Sequence, residues 1–145
     1  MKKYITLQWT WGLLANIIGG ILFLLCLVIA CPIKMYHYAI DITVPWNGAA
    51  ASIGMFIFRG ADCDSIMPHE YGHTLQNIKY GPASLFMVQI PSVIRFWYRE
   101  KMYYAKGVIP PTDYDDAWFE GEATKLGAAA IKGQLNLDDL RNHND

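Results

Sequence analysis

Charge is scarce in this chain: Asp, Glu, Lys and Arg make up 17% of its 145 residues, against roughly 25% in an average soluble domain. Cations are in no surplus either. Twelve basic side chains face 13 acidic ones for a net charge of −1, so nothing here is built to neutralise a phosphate backbone, and nucleic acid is disfavoured as a partner. Cysteine is limited to Cys26, Cys31 and Cys63, with no CxxC pair and no even framework, which argues against a disulfide scaffold. What the chain has instead is apolar mass, 53% of its residues, which excludes disorder. Its length supports one domain, 1–145, ending in a polar tail over 134–145.

The longest gap in charge runs from Lys3 to Lys34, and inside it residues 13–31 read LLANIIGGILFLLCLVIAC, about the 19-residue window of a membrane span. Its twelve Leu, Ile, Phe and Val residues favour insertion by roughly 4 to 7 kcal/mol, and the sum stays near or below zero even if Asn16 costs as much as a charge, about 3 kcal/mol. Three readings are open. The run is a transmembrane or membrane-lying helix, with Trp9 and Trp11 at one interface and Lys34, Tyr36 and Tyr38 at the other. Or it is a buried core helix of a cytoplasmic protein, with Ala15, Gly19 and Gly20 admitting neighbours closely. Or it is an export signal, with a basic Met1-Lys2-Lys3 start and a Val28-Ile29-Ala30-Cys31 stretch of the lipoprotein type, anchored through Cys31. We carry the first forward, a membrane-associated protein.

Alternation of Ile5, Leu7 and Trp9 with Tyr4, Thr6 and Gln8 predicts a short strand before that helix. Ile40, Ile42 and Val44 alternate with Asp41 and Thr43, then Pro45-Trp46-Asn47-Gly48 supplies a turn and Ser52 to Arg59 a further strand. Together these predict a small antiparallel sheet whose edge could pair with an extended peptide. From Ser65 the pattern is helical, capped by Asp64 or Ser65, with Pro68 in the first turn and Gly81-Pro82 as the stop. Residues 83–98 read as two short helices or one kinked at Pro91, and 99–111 as a loop. Thr112-Asp113 then caps a helix from about Tyr114 to Ile131, ended by Gly133.

Inside the helix from Ser65 lies His69-Glu70-Tyr71-Gly72-His73, an HExxH motif. Histidines at i and i+4 share one helix face and can reach one zinc ion, while Glu70 sits beside them, placed to take the proton of a metal-activated water and pass it to the leaving amine. With 4 His and 4 Glu in the chain, a shuffled sequence would contain the motif with a frequency of about 0.003. The competing reading is a helix whose histidines bond only within the core. A third ligand decides, and Glu120, in Trp118-Phe119-Glu120-Gly121-Glu122-Ala123 on the next helix, is the candidate. Thr124, at i+4 from Glu120, shares its face and could bond a ligating histidine. Glu122 is expected at the solvated surface. Asp116 and Asp115 read as capping acids, Asp116 with the option of orienting a histidine. Tyr103, Tyr104 and Tyr114 are candidate donors to an oxyanion, Cys63 is a remote candidate to block the metal's open position, and His37 and His143 read as ordinary polar residues.

The order of an HExxH helix followed by a glutamate helix resembles the gluzincin branch of the zincin metallopeptidases, and Glu120-Gly121-Glu122-Ala123 resembles the E-G-x-A stretch carrying the glutamate ligand in gluzincin aminopeptidases. HEYGHTLQ, followed by Gly81-Pro82 and Ile90-Pro91-Ser92, is similar to a group of small bacterial metallopeptidase-like proteins, related in turn to the C-terminal domains of some Rhs-repeat toxins. Thr10-Trp11-Gly12 and Gly54 to Phe58 resemble stretches that precede the motif in that group, so the likeness covers roughly residues 10–127 and makes the apolar run part of the domain.

The expectation is therefore an α+β fold, a mostly helical minimal zincin-like domain with a small antiparallel sheet and an apolar N-terminal helix at a membrane. Zn2+ is held by His69, His73 and Glu120, with Glu70 as catalytic base, acting on a peptide or protein substrate. The alternatives are a non-catalytic membrane or partner-binding protein with a structural or absent metal site, and a toxin-like metallopeptidase effector.

Overall fold

Every layer rests on one helix, α3 (Met67–Tyr80), whose residues Tyr71, Leu75 and Ile78 are among the most buried in the molecule. The computed structural model describes residues 1–142, so His143 and the end of the polar tail lie outside the described residues. Before α3 come α1 (Lys2–Thr10), α2 (Leu13–Val28), β1 (Ile33–Tyr36), β2 (Ala39–Thr43), β3 (Ala50–Ile53) and β4 (Phe56–Arg59). After it come α4 (Ile90–Met102), α5 (Trp118–Ile131) and α6 (Asp139–Asn142). The fold is α+β, mostly helical with one small sheet, as expected.

The sheet is mixed, where an antiparallel one was expected. Its order is β1-β2-β4-β3, with β1 and β3 antiparallel to their neighbours and β2 parallel to β4. The segment Ser52 to Arg59, read from sequence as one strand, is the end of β3, a tight turn and β4. Gly54 takes φ +63° there, and the N–H of Met55 donates to Asn16 Oδ1 at 2.9 Å. The connection through Trp46 and Gly48 carries the chain past β4's place, so β3 returns at the far edge. Alternation misleads at Asp41, which is fully buried in an ion pair with Arg59 at 2.9 Å. Ile42, Ile57, Phe56 and Phe58 form the core against α3.

Residues 4–9, expected as a strand, lie in α1. Tyr4, Leu7 and Gln8 are the buried face, a helical i, i+3, i+4 stripe. Tyr4 Oη donates to Thr74 Oγ1 at 2.8 Å and Gln8 Nε2 to the Thr74 carbonyl at 2.7 Å. Asn16 of α2 completes the network, donating to Gln8 Oε1 at 2.8 Å and to the Gly12 carbonyl at 2.9 Å. Only Ala15, Asn16, Gly19 and Cys26 of α2 are buried, while Ile21, Leu24, Leu25 and Val28 point outward, Val28 with 84% exposure. Among the described residues no single helix is long and apolar enough to cross a membrane, and α1 with α2 meets that test only as a pair bent by 98°.

Candidate metal centre

A 3-10 turn over Asp64–Ile66 leads into α3 without a side-chain cap, in place of the expected Asp64 or Ser65 cap. Pro68 sits in the first turn, where no intrahelical donor is needed. The helix ends at Gly81, φ +55°. Opposite it, the helix expected from Tyr114 is split: Tyr114–Asp116 is a 3-10 turn closed by an Asp113–Asp116 capping box, and α5 starts only at Trp118. Helices α3 and α5 approach through a glycine seam. A Cβ on Gly72 would overlap the carbonyl of Ala123, and one on Gly127 the carbonyl of Pro68.

That approach brings Glu120 over the two histidines. Glu120 Oε2 lies 3.1 Å from Nε2 of His69 and 3.1 Å from Nε2 of His73, and these three side chains offer ligand atoms within 4.8 Å of one another. Glu120 is fully buried and its Oε1 has no hydrogen-bond partner. Burial alone would raise its pKa, but the bonds from His69 and His73 outweigh it and hold the carboxyl well below the usual range. At His73 burial works downward, and the bond to Glu120 with the charges of Glu70 and Glu120 turns the net shift upward.

Both imidazoles are oriented from behind. His69 Nδ1 lies 2.8 Å from Thr124 Oγ1, whose own proton goes to Asp115 Oδ1 at 3.1 Å. The threonine oxygen therefore accepts from Nδ1–H, which fixes the ring with Nε2 pointing at Glu120. His73 Nδ1 is 2.8 Å from Gln76 Oε1, and Gln76 Nε2 donates to the Phe119 carbonyl at 2.7 Å and to Glu122 Oε2 at 2.8 Å. Two convergent imidazole Nε2 atoms, whose protons a metal ion would replace, and a carboxylate with an unpartnered oxygen fit a catalytic-type zinc site with three protein ligands.

A cavity of about 530 Å3 opens beside these groups, lined by Ser52, Glu70, His73, Gln89, Trp97 and Tyr114 among others. Glu70 is not in the ligand group: its Oε2 accepts from Ser52 Oγ at 2.7 Å. Tyr114 packs edge-on to His69, ring centres 6.1 Å apart, with Arg95 and Arg99 5.6 and 5.5 Å over its own ring. Burial and the nearby Glu120 charge push its phenol well above the ordinary value.

Of the residues singled out from sequence, His69, Glu70, His73, Glu120, Thr124 and Tyr114 come together here. Tyr103 and Tyr104 do not: they pack against Tyr98 and Arg99. Cys63 donates to the Ala49 carbonyl at 3.4 Å and is outside the ligand group. Glu122, expected in solvent, is half-buried and gathers Gln76, Lys79 and Tyr80, because the seam turns its side of α5 toward α3. Asp115, through Thr124, takes the orienting role considered for Asp116. His37 stacks on Tyr71 at 5.2 Å. Sequence reading missed Gln76, Asp115, Ser52 and Gln89; only Gln76, three residues after His73 in HEYGHTLQ, carried a signal in its spacing.

Compared with known proteins, the chain matches no family model, no curated protein and no solved structure.

Proposed function

We propose that the chain is a zinc-dependent metallopeptidase hydrolysing peptide bonds, with His69, His73 and Glu120 as metal ligands and Glu70 as catalytic base. The observation that carries this reading is the convergence of two Nε2 atoms and one buried carboxylate beside a cavity that His73 and Glu70 line. Zinc held there supplies Lewis acidity, polarising a carbonyl and bringing the pKa of a water near neutrality. Glu70 takes a proton on its carboxylate and returns it to the leaving amine, while Ser52 fixes Oε2. Tyr114, its phenol kept protonated, donates to the carbonyl oxygen. The free edge of β3 pairs with an extended substrate. The resemblance to gluzincins in HEYGHTLQ and Glu120-Gly121-Glu122-Ala123 supports the same assignment. A purely structural site would be closed by a fourth protein ligand, and among the described residues no other His, Cys, Asp or Glu joins the three.

We infer as well that the protein is held at a membrane by the outward apolar face of α2, whose Leu24 and Leu25 are 60% and 59% exposed.

Metal content by plasma mass spectrometry, read beside peptide turnover, tests the site. The expectation is about one zinc per chain in wild type and Glu70→Gln, loss of that metal in His73→Ala and Glu120→Ala, and a fall in Glu70→Gln turnover of about 10²- to 10⁴-fold. Wild type that takes up no stoichiometric metal when zinc is offered would overturn the reading.

A further inference from the structure

A buried amide side chain normally finds partners for both of its ends, because a dry, unpaired donor or acceptor is unfavourable. Gln89 has none. It is 5% exposed, yet neither Nε2 nor Oε1 makes a hydrogen bond, and it stands in the wall of the cavity shared by Glu70, His73 and Ser52. Its backbone arrives there by an irregular route. Leu85–Gln89 is a π-helical turn ahead of α4, a wider coil found mostly at functional sites, and it puts Val88 fully into the core while Gln89 meets the cavity. Ala50, Ala51 and Ser52 of β3 line the same cavity, and β3 is paired on one side only, to β4.

We propose that Gln89 binds the substrate backbone: Nε2 donates to a carbonyl and Oε1 accepts from an N–H of an extended polypeptide lying along the edge of β3. This rests on the metallopeptidase reading and deepens it, by naming what the site recognises as an internal stretch of chain rather than a C-terminus. A side-chain amide and a peptide unit each carry a donor and an acceptor, so the two can pair in both directions. A terminal carboxylate offers acceptors only. It would call for Arg or Lys, and the cavity lining contains neither, while it includes the acidic residues Glu70 and Glu100.

The test uses the zinc-loaded Glu70→Gln chain and the capped peptide acetyl-Ala-Ala-Leu-Ala-Ala-amide, its forms with a single backbone N-methyl group, and its free acid, followed by tryptophan fluorescence. Adding Gln89→Met, close in shape but without the amide, weakens the capped peptide about tenfold or more, with no fall in melting temperature. N-methylation at one position weakens binding to the parent but not to the Met variant, and the free acid binds the parent less tightly than the capped form. Equal affinity in parent and Met variant would overturn the proposal. So would a lower melting temperature with unchanged affinity, or no saturable binding by the parent. Failure of the underlying reading is seen separately, as absence of cleavage by the zinc-loaded wild type while binding still depends on Gln89. Cleavage whose kcat/KM ignores Gln89→Met would sink the clamp and leave the peptidase standing.

Discussion

Thr124 makes His69 a directed ligand. Its oxygen accepts from Nδ1 and its proton goes to Asp115, so the ring cannot turn and its Nε2 faces Glu120 at 3.1 Å. Thr124→Val keeps the shape and removes both bonds. It is expected to weaken zinc about 10- to 100-fold, measured by competition with a chromophoric chelator, with the far-ultraviolet circular dichroism unchanged; Gln76→Leu should act likewise on His73. At this scale the ligands were legible because each pair obeys helix spacing, His69 with His73 and Glu120 with Thr124. Asp115 was not, because its reach to Thr124 depends on the break at Ala117 that separates the 3-10 turn from α5. Gln89 was not either. A π-turn shifts the phase of side chains in a way apolar periodicity does not record.

The element that assembles the site is the seam between α3 and α5. Gly72 and Gly127 let backbone meet backbone, and that contact sets how far Glu120 stands from the histidines. Gly127→Ala forces its Cβ against the carbonyl of Pro68, so it should lose about 1–3 kcal/mol of stability by overpacking and weaken zinc as α5 retreats, both read by urea unfolding and metal titration. Gly20→Ala is the contrast: its Cβ would meet only Phe56 Cζ at 3.9 Å, so in mid-helix it should be neutral or stabilise by up to about 1 kcal/mol. Helices α3 and α5 could be read from sequence because Pro68, Gly81 and Gly133 punctuate their periodic stretches. Helix α1 could not, since Ile5, Leu7 and Trp9 satisfy strand alternation while the buried stripe includes polar Gln8 and leaves Ile5 and Trp9 39% and 44% exposed. The parallel pairing of β2 with β4 depends on how the chain crosses between them, which no local pattern encodes.

Across the whole molecule the largest imbalance is apolar surface. On α2 the small residues and Asn16 face inward and the large aliphatics outward, and along α4 Ile94 and Trp97 stand 63% and 60% exposed. A span would gain from losing Asn16, whereas this fold would lose: Asn16→Leu strands the Met55 N–H and takes from Gln8 Oε1 one of its two donors, leaving Asn77 Nδ2. The orphaned N–H is worth about 1–3 kcal/mol, so the variant should melt earlier although its run is more apolar. The outer face can be changed without touching that network. Replacing Leu24 and Leu25, both exposed, by Ser should leave the melting temperature unaltered while lowering the fraction that floats with phosphatidylcholine–phosphatidylglycerol vesicles. Each partly buried leucine contributes roughly 1–2 kcal/mol to lipid contact, so the pair should weaken binding by about 30- to 1000-fold. Wild type that never floats, at any lipid concentration, would overturn the membrane reading of this face.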